Sequence, residues 1–142
     1  MNADISAFLP NKAVRYTAIE VVVSKRFKGK DGQPIPWRVK VLSNKTMTAL
    51  QKECSRRIID KATGQERIET DQEKLGRRLI EECVIYPALK NPELQDAYHA
   101  TGAADLAEAM LLPGELSTLM KAVSEAQGID SGLEDRVKYV KN

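Results

Sequence analysis

Alternation comes first along the chain. In TAIEVVVSKRF (17–27), Ile19, Val21 and Val23 fall on one face, and β-branched residues dominate, as in a strand. In IPWRVKVL (35–42), Ile35, Trp37, Val39 and Val41 point one way, and Pro36, Arg38 and Lys40 the other. KGKDGQP lies between them, with turn chemistry at Asp31-Gly32 and Pro34. These runs predict an antiparallel β-hairpin with one buried face, which includes Trp37, and one basic face. Before it stands a lead-in over 1–15, where Ile5, Phe8 and Leu9 precede Pro10.

Beyond residue 43 the period changes to that of a helix. Ser43 or Asn44 is placed to cap a helix whose inner side would carry Met47, Leu50, Cys54 and Ile58. IIDKATGQERIET interrupts that pattern around Thr63-Gly64, and a small second hairpin fits it better than a charged excursion does. Thr70 or Asp71 then caps a second helix, with Glu73 three beyond Thr70 as a capping box requires. Its core face would be Leu75, Leu79, Ile80, Cys83 and Val84, and Pro87 would stop it. Asn91-Pro92 opens a short helix to about Tyr98, and Gly102 ends it. Leu106 and Met110 mark the next helix. After Pro113-Gly114, the stripe Leu116, Leu119, Met120 and Val123 marks another, with Gly128 past its end. The tail after Gly128 has no decisive period and is expected to fray or to order on a partner.

The fold expected is α+β: an N-terminal antiparallel β-hairpin layer packed against a C-terminal bundle of four to five short helices. It forms one domain over 1–142, with 1–15 and 129–142 as flexible ends. At 142 residues the chain is long enough for a core without staples. No apolar run approaches the roughly 18 residues of a membrane span, and the N-terminus has no signal-peptide pattern. The chain is therefore expected to be soluble and to stay in the compartment where it is made.

Candidate chemistry is sparse. Cys54 and Cys83 lie far apart in sequence with no zinc spacing, and His99 is the only histidine. Any triad, Cys-His dyad or multi-His site would have to use His99. The adjacent Glu81 and Glu82 point about 100° apart on a helix and cannot converge on one bond. KGKDGQP lacks the spacing of a phosphate loop, and Asp130, Glu134 and Asp135 lack the glycine and alternation of a calcium loop. The expectation is no enzyme, no cofactor and no metal.

Charge is unevenly spread. Residues 1–45 hold nine Lys/Arg and three Asp/Glu, a net of 9 − 3 = +6, whereas the remainder holds 13 basic and 17 acidic residues, a net of −4. Two surfaces compete for a partner. Lys25, Arg26, Lys28, Lys30, Arg38 and Lys40 on the hairpin would suit phosphates, with Phe27 or Trp37 stacking on bases. The same lysines equally suit a solvated edge that resists pairing. The other surface is the Met- and Leu-rich C-terminal half. There Leu106, Leu116 and Val123 should be core, and Tyr86, Tyr98, Met110, Leu112, Leu119 and Met120 remain to line a groove for an amphipathic helix. Plain core is the alternative for those side chains. Glu93, Asp96, Asp105, Glu108 and Glu115 would ring the groove and attract a basic segment.

Three blocks in fixed order carry a resemblance: C-V-x-Y-P-x-L-K at Cys83–Lys90, E-L-Q-D-x-Y at Glu93–Tyr98, and M-L-x-P-G-E-L at Met110–Leu116. Together with the hairpin VVVSKRFKGKDGQPIPWRVKVLS, they resemble the XkdN-like phage tail assembly chaperones of phages and prophages of Gram-positive bacteria. The likeness spans about residues 5–130, with residues 60–70 and the charged tail departing from it. It implies a non-enzymatic assembly factor that binds the phage tape measure protein in the host bacterial cytoplasm and is absent from the mature virion. It also implies the tail tube protein and a frameshifted longer form of the chain as further partners, and no membrane. The rival reading is a small nucleic-acid-binding regulator that uses the basic hairpin.

Overall fold

The computed structural model describes residues 4–13 and 16–128, and the backbone of a strand at 137–141. The two alternating N-terminal runs form β1 (Tyr16–Val21) and β2 (Trp37–Lys40), which pair antiparallel with Ile19 opposite Val39 and Val21 opposite Trp37. The hairpin is looser than its turn residues suggest. The ladder stops at Val21 and resumes at Trp37, and the loop between them closes again only at its tip. There the Gly29 N–H donates to the Gln33 carbonyl and the Ile35 N–H to the Phe27 carbonyl. Asp31 accepts the Gln33 N–H at 3.0 Å, which fixes the turn, while Pro34 and Pro36 have no N–H to extend a ladder.

The chain continues through α1 (Asn44–Glu53), β3 (Ser55–Ile59), β4 (Glu66–Thr70), α2 (Gln72–Cys83), β5 (Val84–Tyr86), α3 (Pro92–Ala97), α4 (Ala103–Met110), α5 (Pro113–Ala126) and β6 (Val137–Lys141). The main sheet has the order β5-β2-β1-β6, so the hairpin layer is completed by strands from the later half of the chain. β6 pairs antiparallel with β1, which corrects the expectation of a tail without regular structure for 137–141. Residues 129–136 and 142 lie outside the described residues. β3 and β4 form a separate two-stranded sheet, the small second hairpin expected around Thr63-Gly64.

Caps set the helix boundaries. The Ser43 hydroxyl accepts the Thr46 N–H at 3.2 Å, and the Asn91 side chain accepts that of Leu94 at 3.1 Å. Asp71 caps α2 by accepting the Lys74 N–H, so the box between Thr70 and Glu73 does not form: Thr70 is still in β4. Ile58 also moves from its expected place. It belongs to β3, because α1 ends at Glu53. Val84 likewise leaves α2 and opens β5, so that helix stops at Cys83, four residues before Pro87. At α5, Glu115 in the first turn reaches back to accept the Leu112 N–H at 2.9 Å. Gly128, at φ 74°, turns the chain past the helix in the left-handed region that glycine enters without penalty.

One core joins the sheet to the helices. Ile19, Trp37 and Val39 from the sheet, Cys83 from α2, Leu106 from α4, and Leu119 and Val123 from α5 are its fully buried side chains. α5 packs on β1 and β2, and α2 packs on α4 and α5. Gly76 allows a close approach there, because a Cβ at that position would lie 3.3 Å from the Met120 methyl. Gln127 fastens the end of α5 to the sheet. Its side chain accepts the Leu42 N–H at 2.7 Å and donates to the Lys40 carbonyl at 2.9 Å.

Candidate partner-binding surface

The six side chains expected to line a groove separate into three kinds. Met110 and Leu119 are buried, Leu119 completely, which corrects their assignment to an open groove. The reason is packing: α5 lies directly on β1 and β2, so its regular stripe is spent on the sheet. Met120 is half-buried against Gly76 of α2. Leu112 (56% exposed), Tyr86 (48%) and Tyr98 (37%) remain at the surface. Of the residues expected to be core, Leu106 and Val123 are fully buried, and Leu116 is half-buried against the core.

Leu112 sits at the α4–α5 junction, where the β1–β2 loop crosses the helices. Arg26 from that loop bonds both carboxylate oxygens of Glu115 (3.2 and 2.5 Å) and donates to the Met110 carbonyl at 2.8 Å. Its guanidinium also lies 5.0 Å from the centre of the Phe27 ring. Hydrogen bonds from Arg26, from Ser24 and from the Leu112 N–H hold the Glu115 carboxyl down to about 2. The result is a small amphipathic surface, with exposed Leu112 beside a tied ion pair. A cleft of about 350 Å³ lies along α3, lined by Ala88, Asn91, Glu93, Leu94 and Ala97.

The acidic ring is largely occupied from within. Asp105 and Glu108 each contact Arg77 at 2.6 Å, and Glu115 holds Arg26. These pairs raise the Arg77 and Arg26 pKa values through hydrogen bonding to the carboxylates. Glu93 and Asp96, both exposed on α3, have no ion pair among the described residues. The basic hairpin is similarly altered. Arg26 is engaged, Arg38 lies 3.6 Å from Glu20, and Trp37 is only 2% exposed, so Trp37 has no face free to stack on a base. Lys25, Lys28 and Lys30 remain exposed.

Reactive groups are equally quiet. Burial, with Glu82 nearby, pushes the Cys83 thiol up to about 12, the reverse of what a nucleophilic thiolate needs. Both cysteines are free and buried. Among the described residues, no group of three or more His, Cys, Asp and Glu side chains is placed to hold a metal ion. No described helix is long and apolar enough to cross a membrane. The contacts that sequence reasoning missed are long-range: Arg26 with Glu115, Arg77 with α4, and Gln127 with the sheet. Residue type alone carries no signal for any of them.

Known proteins resemble the chain over nearly its whole length. The pattern of the family described as "Phage XkdN-like tail assembly chaperone protein, TAC" matches residues 5–141. An uncharacterized protein, YqbN of Bacillus subtilis (strain 168), is 30% identical over 98% of this chain and 93% of its own length. The phage-like element PBSX protein XkdN of the same organism is 29% identical over 98% of this chain and 94% of its own. The crystal structure of YqbN superposes with a TM-score of 0.72 at 27% identity, covering 92% of this chain and all of that one. With its pattern matched from residue 5 to residue 141, the chain belongs to the XkdN-like phage tail assembly chaperone family.

Proposed function

We propose that the protein is a non-enzymatic tail assembly chaperone that binds the tape measure protein and keeps it soluble during tail morphogenesis. The observation that carries this reading is the family match across nearly the whole chain. A tape measure protein is long and helix-rich and exposes apolar stripes before assembly. Such stripes need apolar contact with a tolerant geometry rather than a deep specific pocket. Leu112, Tyr98 and Tyr86 are exposed and sit on elements anchored by the core, so they offer that contact without unfolding the domain. Exposed Glu93 and Asp96 on α3 would speed encounter with a basic segment. The reading carries with it a site of action in the host bacterial cytoplasm and release before the virion is complete. The tail tube protein and a frameshifted longer form of the chain are further partners under it.

The test is co-expression with the tape measure protein of the same phage element. The wild type should keep that protein soluble and co-purify with it. Leu112→Asp combined with Tyr98→Ala should lose the complex while retaining a native circular dichroism spectrum. A tape measure protein that stays insoluble and uncaptured beside the wild type contradicts the proposal. Capture that survives the double substitution would leave the chaperone role standing and overturn only the assignment of Leu112 and Tyr98 to the binding surface.

A further inference from the structure

The β3–β4 ribbon stands apart from the core, and among the described residues neither of its edges pairs with another strand. Backbone bonds at its two ends fix which amide groups face outward. The Asp60 N–H donates to the Gln65 carbonyl and the Asp71 N–H to the Cys54 carbonyl, in the same register that pairs Arg56 with Glu69 and Ile58 with Arg67. Antiparallel pairs alternate between bonded and non-bonded. The alternate pairs Ser55–Thr70, Arg57–Ile68 and Ile59–Glu66 therefore direct their N–H and C=O groups away from the partner strand. On the β4 edge the outward groups belong to Glu66, Ile68 and Thr70. Ile68 is also 77% exposed, and its diagonal neighbour Ile59 on the same face is 60% exposed.

We infer that β4 pairs edge to edge with β4 of a second copy of this chain, about a two-fold axis at Ile68. The β4 sequence, Glu-Arg-Ile-Glu-Thr, is self-complementary in that register. Ile68 meets Ile68 of the other copy in a bonded pair, and Glu66 meets Thr70 in bonded pairs on either side. Arg67 then faces Glu69 of the other copy in the close, non-bonded position, twice by symmetry. The two pairs of Ile59 and Ile68 form one apolar stripe across the resulting four-stranded sheet. The β3 edge offers no such match: centred on its middle outward residue, it would set Arg57 against Arg57. An isolated two-stranded ribbon is marginal in water, and two more strands supply the missing support. The contact is isologous and closes at a dimer.

Sedimentation equilibrium over a concentration series tests this on the full chain. The wild type should be dimeric at high concentration. Ile68→Lys, which places a charge at the axis, should be monomeric throughout. Arg67→Glu should weaken association by about tenfold or more, since both copies then oppose Glu to Glu69. Adding Glu69→Arg to that variant should restore dimerisation. All three side chains are exposed, so the fold should be unaffected. A wild type that is monomeric up to about 1 mM overturns the inference, because association weaker than that is not a specific interface. So does a dimer indifferent to Ile68→Lys, or a double variant that fails to recover.

Discussion

The β1–β2 hairpin and the β3–β4 hairpin have much in common in sequence: β-branched residues interspersed with charged ones, and a glycine in the connection. Their fates differ completely. Ile19, Val39 and Trp37 in the first are at most 2% exposed, whereas Ile59 and Ile68 in the second stand in solvent. What separates them is a cover. α5 lies on β1 and β2, and β5 and β6 extend the sheet on both sides, while among the described residues nothing comparable lies on β3 and β4. Alternation announces a strand with two unlike faces. Burial of one face depends on a partner layer that the strand's own sequence does not encode.

If the cover makes the difference, side chains buried beneath it or tied to it should matter most and those of the bare ribbon least. Trp37→Ala should lower stability by about 3–5 kcal/mol, read by urea denaturation, since it leaves a large cavity in a packed core. Gln127→Ala should cost about 1–2 kcal/mol in the same assay, because the Leu42 N–H and the Lys40 carbonyl lose their partner and the end of α5 loses its tether to the sheet.

A smaller effect should appear with acid at the Arg26–Glu115 contact. The folded carboxyl titrates near 2, below its ordinary 4.5, so its contribution is complete above about 4.5 and is lost as pH falls towards 2. Glu115→Gln should therefore be less stable than the wild type at neutral pH. The two melting temperatures should converge as pH approaches 2. Smallest of all should be Ile68→Ala, within about 0.5 kcal/mol when measured at protein concentrations low enough to keep the chain monomeric.

These effects follow the line between what the sequence carried and what it did not. Local signals were sound: the alternation of Ile19, Val21 and Trp37, the caps at Ser43 and Asn91, and Gly128 past α5 each depend on neighbours a few residues away. Ile58 and Val84 were misplaced because a helical period can run on through a boundary set by hydrogen bonding elsewhere. β6 was missed because its pairing with β1 joins segments more than a hundred residues apart. For the candidate surface, the sequence named an apolar set without separating its buried members from its exposed ones. Met110 and Leu119 went to the core and Leu112 to the surface because the sheet lies against one side of α5. Nothing in their residue types distinguishes them. Three of the five acidic residues expected to greet a partner are held instead by Arg26 and Arg77.

Native-state hydrogen exchange on the Ile68→Lys chain, where pairing between copies is removed, tests the contrast between the two hairpins most directly. Amides in β1 and β2, and in α5 around Leu119 and Val123, should exchange only through global unfolding. The inward amides of β3 and β4, those of Arg56, Ile58, Arg67 and Glu69, should exchange through a local opening of much lower free energy. Equal protection in both hairpins would contradict the account, because it would mean that the exposed ribbon and the buried sheet unfold as one cooperative unit.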